Sequence, residues 1–172
     1  QEAYMKLDKK QIMNFLPHRD PFLFLDSIEE ITYPDSLKDM TLKSLKQIIG
    51  GKVVGHFHVT PELKVLAGHF PGNPILPGVI QLETMAQAST FINLKILESE
   101  ELCGLDIDVA LLGVDKARFR RPIVPGMKLK VITECTKVRG NFVGYSCEIY
   151  ENDLLVSQAD ILASFKYKKK ED

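Results

Sequence analysis

The sequence predicts an α+β fold in which an antiparallel sheet wraps around one long central helix. Three observations carry this expectation. Residues 79 to 94, VIQLETMAQASTFINL, hold Glu83 as their only charged side chain, so a helix there is apolar over most of its circumference and belongs inside the core. Downstream, strand-like stretches run around 107–120, 127–138, 142–151 and 154–167, and the turns between them are short enough to join antiparallel neighbours. Two further strand-like stretches precede the helix, which leaves one helix and one sheet to cover each other.

In chain order, Asp8 ahead of KKQIMNFL can cap a short helix, which stops at Pro17 because proline disfavours helix in the residue before it. PFLFLDSIEEI, residues 21 to 31, reads as a buried strand. Leu37, Met40, Leu45 and Ile48 recur at roughly helical spacing over 36 to 49, which suggests a short amphipathic helix capped by Ser36, or else an irregular insertion. KVVGHFHVT after Gly50 and Gly51 favours a strand through its valines and aromatics. Residues 68 to 78, GHFPGNPILPG, gather three prolines and three glycines, so this segment is a stiff irregular loop that delivers the chain into the central helix. The turns that follow fall at Pro122 to Gly126, at Gly140-Asn141 and at Asn152-Asp153.

A chain of 172 residues, 45% hydrophobic and 26% charged, fits one domain over 1–172. Its net charge of -1 provides no overall cationic field, so nucleic acid is not an expected partner. No apolar run reaches the roughly 20 residues of a bilayer span. The segment QEAYMKLDKK lacks the apolar core of a signal peptide, and the expected location is the cytoplasm. Cys103, Cys135 and Cys147 show no C-x-x-C spacing and read as ordinary reduced side chains, without a disulfide framework or zinc ribbon.

Glu83, alone on a buried helix, needs either a structural partner or a chemical role, because desolvating an unpaired carboxylate is costly. His69 stands in the loop that feeds the same helix, and an imidazole titrates near working pH and can take up or return a proton. Gly78 opens the helix, where backbone N–H groups and the positive end of the dipole suit an oxygen that gains negative charge. A base, a carboxyl group and an oxyanion donor suit proton abstraction next to a thioester carbonyl. Spacing alone does not choose between that reaction and hydrolysis.

GHFPGNPILPGVIQLETMAQAS closely resembles the signature of the (3R)-hydroxyacyl-[acyl-carrier-protein] dehydratases of the FabZ type. LPHRDPFLFLD at 16 to 26 and DKARFRRPIVPG at 115 to 126 look like two further motifs of that family, in the same order along nearly the whole chain. The resemblance implies a hot-dog fold, homodimers commonly assembled three to a hexamer, active sites built across the dimer interface, and no cofactor or metal. It also implies roles. His69 handles the C2 proton, Glu83 from the partner subunit orients or protonates the leaving hydroxyl, the Gly78 N–H holds the thioester oxygen, and the Ile75 carbonyl fixes the His69 ring. Glu at 83, where the related dehydratase-isomerases carry Asp, matches the plain dehydratase. Departures from the family pattern are Asp20 in place of Tyr, a longer segment at 34–50, and Met127 in place of an acidic residue.

His18 matches a family motif and reads as structural beside Arg19. His56 and His58 share one strand face, but a metal site would need a third ligand that the sequence does not offer. Between 116 and 130, Lys116, Arg118, Arg120, Arg121, Lys128 and Lys130 occur without any Asp or Glu, and alternation would put Lys116, Arg118 and Arg120 on one strand face. This stretch is either a charged, protected sheet edge or a landing patch for an acidic acyl carrier protein and its phosphopantetheine-linked acyl group. The expected activity is reversible dehydration of a 3-hydroxyacyl thioester on that carrier to the trans-2-enoyl thioester in fatty-acid synthesis. A thioesterase and a non-catalytic acyl-binding module are the alternatives.

Overall fold

The computed structural model describes residues 2–4, 6–34, 42–98 and 104–169. Strand β1 (Glu2–Tyr4) pairs with β2 (Ser27–Tyr33), and helix α1 (Lys9–Phe15) lies between them in sequence. A reciprocal box closes the start of α1: Gln11 N donates to Asp8 Oδ1 over 2.8 Å and Asp8 N donates to Gln11 Oε1 over 2.9 Å. The helix ends at Leu16, whose backbone is extended ahead of Pro17.

The buried strand expected over 21 to 31 begins only at Ser27. The reason lies in backbone bonding. The Phe22 carbonyl and the Phe24 N–H are both taken by the side chain of Gln87, so this stretch is fastened to a helix and contributes nothing to a ladder. The amphipathic helix expected over 36 to 49 is a 3-10 helix over Leu42–Ile48, while residues 36–41 of that expectation, like Cys103, lie outside the described residues. Immediately after it, Gly50 N bonds to Cys135 O and Cys135 N to Gly51 O, and a Cβ on Gly51 would stand 2.9 Å from Ile48 O.

Strand β3 (Lys52–His58) follows, then a short helix α2 (Lys64–Gly68) for which the sequence shows no periodic signal. Helix α3 (Gly78–Thr90) continues through a 3-10 turn (Phe91–Asn93) into α4 (Leu94–Leu97). Strands β4 (Leu105–Phe119), β5 (Lys128–Arg139), β6 (Phe142–Glu151) and β7 (Leu154–Lys169) complete a seven-stranded sheet in the order β1-β2-β3-β5-β6-β7-β4. Every pairing is antiparallel. The core lies between α3 and the inner sheet face, where Val131, Tyr145, Cys147, Ile161 and Phe165 meet Met85, Ala88 and Phe91 as one buried cluster. This is the sheet around a central helix that the patterning predicts. Its physical basis is that Ile80, Thr84, Met85, Gln87 and Ala88 are buried around most of the helix.

One alternation fails. The β4 pairing with β7 shifts register between Asp115 and Arg118, and Lys116 takes φ 52, a bulge that breaks the period of two. Lys116, Arg118 and Arg120 therefore do not share a strand face, and Arg120 lies beyond the end of β4.

Candidate active site

His69 caps the C-terminal end of α2 and starts the Pro/Gly loop. The loop closes on itself: Ile75 N donates to His69 O over 2.8 Å, and the His69 Nδ1 lies 2.8 Å from Ile75 O. A carbonyl can only accept, so Nδ1 carries a hydrogen, and in the neutral ring the lone pair belongs to Nε2. Stacking on Phe70, at 4.1 Å between ring centroids, further limits the ring. Leu76 N bonds to Ile123 O, which ties the loop to the segment after β4.

Helix α3 then starts at Gly78 without any side-chain cap. The Phe119 ring lies over this glycine so closely that a Cβ on Gly78 would sit 2.9 Å from Phe119 Cζ. Only glycine leaves both the ring and the helix start where they are.

Glu83 lies on the second turn of α3, with 23% of its side chain exposed. Gln87, one turn later and 1% exposed, donates through Nε2 to Glu83 Oε1 over 3.0 Å and to Phe22 O over 2.9 Å, while its Oε1 accepts from Phe24 N. His18 Nε2 stands 3.3 Å from Glu83 Oε1. The His18 beside it and the Gln87 amide hold the Glu83 carboxyl below the usual carboxylate range against the opposing effect of burial, with His18 the largest cause. His18 is in turn placed by Arg19, whose guanidinium collects the carbonyls of Met13, Leu16 and His18 at 3.0, 2.8 and 2.7 Å. Glu83, His18 and Gln87 open on a cavity of about 220 Å³ that reaches Tyr145 and Phe165 in the core.

The structure therefore joins Glu83 to His18 and His69 to Ile75. Among the described residues, no hydrogen bond or ion pair joins His69 to Glu83, and His69 is absent from the wall of the Glu83 cavity. His18, read from sequence as structural, touches the carboxylate. Gln87 is missing from the sequence-based site, although its position four residues after Glu83 puts both on one helix face. Phe119 lies inside the motif at 115 to 126 but had no role assigned, and Tyr145 carried no sequence signal, since only the folded chain brings them to Gly78 and to the cavity.

Of the basic residues, Arg118, Arg120 and Arg121 flank Phe119 near the start of α3, all exposed. Lys116 is paired with Asp160 at 3.5 Å, and Arg120 is engaged with Gln158 Oε1 at 2.9 Å. Lys128 and Lys130 lie on β5 opposite His58 and His56. The His56 ring bonds to Glu29 and lowers the Glu29 carboxyl. His58 N donates to Asp26 Oδ2 over 2.6 Å. Among the described residues, no three His, Cys, Asp or Glu side chains gather as metal ligands.

The model of the FabA-like domain matches residues 16–160. A 3-hydroxyacyl-[acyl-carrier-protein] dehydratase FabZ of Anaplasma phagocytophilum is 36% identical over 159 residues, covering 92% of this chain and 97% of that protein. The FabZ of Enterococcus faecalis is 39% identical over 137 residues, covering 80% and 82%. Among solved structures, the dehydratase heterocomplex ApeI:P from Xenorhabdus doucetiae aligns with a TM-score of 0.67 at 18% identity, over 93% of this chain and 91% of that one. A thioesterase superfamily member from Thermus thermophilus aligns at 0.56 and 26% identity, over 69% and 82%. The fold is the hot-dog fold.

Proposed function

Since the chain belongs to the FabA-like family and, within it, to the FabZ-type 3-hydroxyacyl-[acyl-carrier-protein] dehydratases, we propose that it removes water from a 3-hydroxyacyl thioester with His69 as base and Glu83 as the carboxylate at the leaving hydroxyl. The reaction is reversible dehydration to the trans-2-enoyl thioester in fatty-acid biosynthesis. One observation supports the assignment of roles: the Nδ1 bond to Ile75 O selects the tautomer of the neutral His69 ring in which Nε2 is the acceptor. That nitrogen takes the C2 proton, the electron pair of the broken C–H bond forms the C2–C3 double bond, and the C3–O bond breaks. The proton His69 gains is the one the departing hydroxide needs to leave as water, so the enzyme ends each turnover unchanged.

Negative charge that gathers on the thioester oxygen meets the uncapped start of α3 at Gly78, where helix N–H groups and the dipole favour it. Glu83, held ionised by His18 and Gln87, accepts a hydrogen bond from the C3 hydroxyl, which keeps its hydrogen, and aims that group for departure as water. Because His69 and Glu83 stand apart within one chain, we assign them to the same site in a homodimer, His69 from one protomer and Glu83 from its partner. Strand β4 supports this. It is one edge of the sheet, pairing among the described residues only with β7, and Leu111 beside the Glu83 cavity and Leu112 are 45% and 49% exposed. Assembly of three such dimers into a hexamer is part of the same proposal, read by sedimentation.

The substrate arrives on acyl carrier protein. Arg118, Arg120 and Arg121, grouped beside Phe119 and Gly78, are the strongest part of the docking surface, with Lys128 and Lys130 more distant and Lys116 partly neutralised by Asp160. We place the protein in the cytoplasm, where the proposed reaction would meet its carrier-bound substrate; Cys135 and Cys147 are buried free thiols that burial pushes up to about 12. No helix among the described residues is long and apolar enough to cross a membrane.

The deciding experiment incubates purified protein with crotonyl and 3-hydroxybutyryl thioesters, on carrier protein and on a small thiol, and follows the conjugated enoyl band beside a free-thiol reagent. A change in the enoyl band without thiol release, lost in His69→Ala, establishes the reading. Thiol release assigns a thioesterase instead, and silence in both readouts assigns a binding module.

A further inference from the structure

The cavity beside Glu83 runs inward to the sheet. It follows α3 from Glu83 to Thr90, seven residues or about 10 Å of helix rise, and there it meets Tyr145, Ile161, Ala163 and Phe165 on the inner faces of β6 and β7. Tyr145 is 2% exposed and its ring meets Phe165 edge-on at 6.4 Å. Its backbone is paired on both sides, to Cys135 on β5 and Ile161 on β7, so the side chain stands on the middle of the sheet and not on a movable loop. Its hydroxyl is fully buried beside Asn93, so the ring and not the hydroxyl is what a chain entering the cavity would meet.

We propose that Tyr145 is the specificity-determining floor of the acyl site and sets an upper limit on chain length. The proposal rests on the dehydratase reading, in which C3 sits at Glu83 and the rest of the chain runs inward. A chain that reaches this end must displace the Tyr145 ring, which the packing against Phe165 and the strand pairing oppose.

The test measures kcat/KM for 3-hydroxyacyl groups of 4, 6, 8, 10, 12 and 14 carbons on carrier protein with wild type, Tyr145→Leu and Ala163→Leu. Wild type is expected to fall at least tenfold between 4 and 14 carbons. Tyr145→Leu, which deepens the cavity, raises the ratio of the 12-carbon to the 4-carbon rate at least tenfold. Ala163→Leu fills the same end from another strand and moves the fall to shorter chains, so the two variants shift the profile in opposite directions and either one, if folded, decides the question. Equal wild-type rates from 4 to 14 carbons, or a folded variant with an unmoved profile, overturn the length limit while leaving the dehydratase intact. Wild-type silence at every length overturns the dehydratase reading, and the length limit with it.

Discussion

His18 Nε2 stands 3.3 Å from Glu83 Oε1, so the loop after α1 and the second turn of α3 meet at one carboxylate. Arg19 holds that loop by three carbonyls, and Gln87 grips the next stretch at Phe22 and Phe24. The N-terminal segment thus acts as a clamp on Glu83, and His18 is its positioning residue.

The clamp gives a pH dependence. Glu83 is held below its ordinary value, so its contacts stabilise the fold above the unfolded carboxyl's pKa, and that contribution is lost as pH falls through the folded value. His18→Ala removes the largest cause of the lowering, and the acid limb of the kcat profile moves to higher pH. At neutral pH we expect about a tenfold fall in kcat, the size of a lost hydrogen bond to a charged group, with partial recovery in His18→Gln. An acid limb that stays in place removes His18 from this role.

Glu83→Gln keeps the shape of the side chain and abolishes its charge. A fall in kcat of about 10²- to 10⁴-fold is expected, as for loss of a positioned acid or base, with thermal unfolding near wild type because Gln87 can still bond to the new amide. His69→Ala is expected to be inactive while still binding carrier protein. Near-normal turnover in either variant contradicts the roles of His69 as base and Glu83 as the carboxylate at the leaving hydroxyl.

The proposed sharing of each site between two protomers makes a prediction about mixtures. Co-refolding His69→Ala with Glu83→Gln yields heterodimers in which one site receives both intact residues and the other receives neither. With random pairing, about a quarter of wild-type activity returns. Two inactive variants that stay inactive together argue that each site draws His69 and Glu83 from one chain.

Gln87 is a structural hub as well as a hydrogen-bond partner of Glu83. Gln87→Leu leaves the Phe24 N–H and the Phe22 carbonyl without their partner, and about 2 kcal/mol of stability should be lost in denaturant unfolding. A loss below about 0.5 kcal/mol, within the scatter of surface substitutions, shows that water or another side chain replaces the amide.

Reversal of Arg120 and Arg121 to Glu tests the docking surface. KM for carrier-linked substrate should rise about tenfold and become less sensitive to salt, while KM for a small thioester analogue changes little. Equal effects on both substrates dismiss the patch.

Local rules made much of this protein legible in sequence. The solitary charge of Glu83 on an apolar helix marked both the core element and a reactive group, because burying a carboxylate without purpose is too costly to be common. Period-two patterning and short turns marked β4 to β7, and the Pro/Gly loop marked the entry to α3. Other features depended on partners far away in the chain. The strand expected at Pro21 starts late because Gln87, more than 60 residues on, takes its backbone groups. The bulge at Lys116 undid an alternation that assumed a regular strand. His18 became a partner of Glu83, and Tyr145 the end of a cavity, only through the wrapping of sheet around helix. Sequence by itself determined which residues can hold charge, turn the chain or bury a face, since those are properties of single side chains and their near neighbours. Tertiary structure alone decided which of them meet, because a contact between distant segments depends on the packing of the whole chain and no local period encodes it.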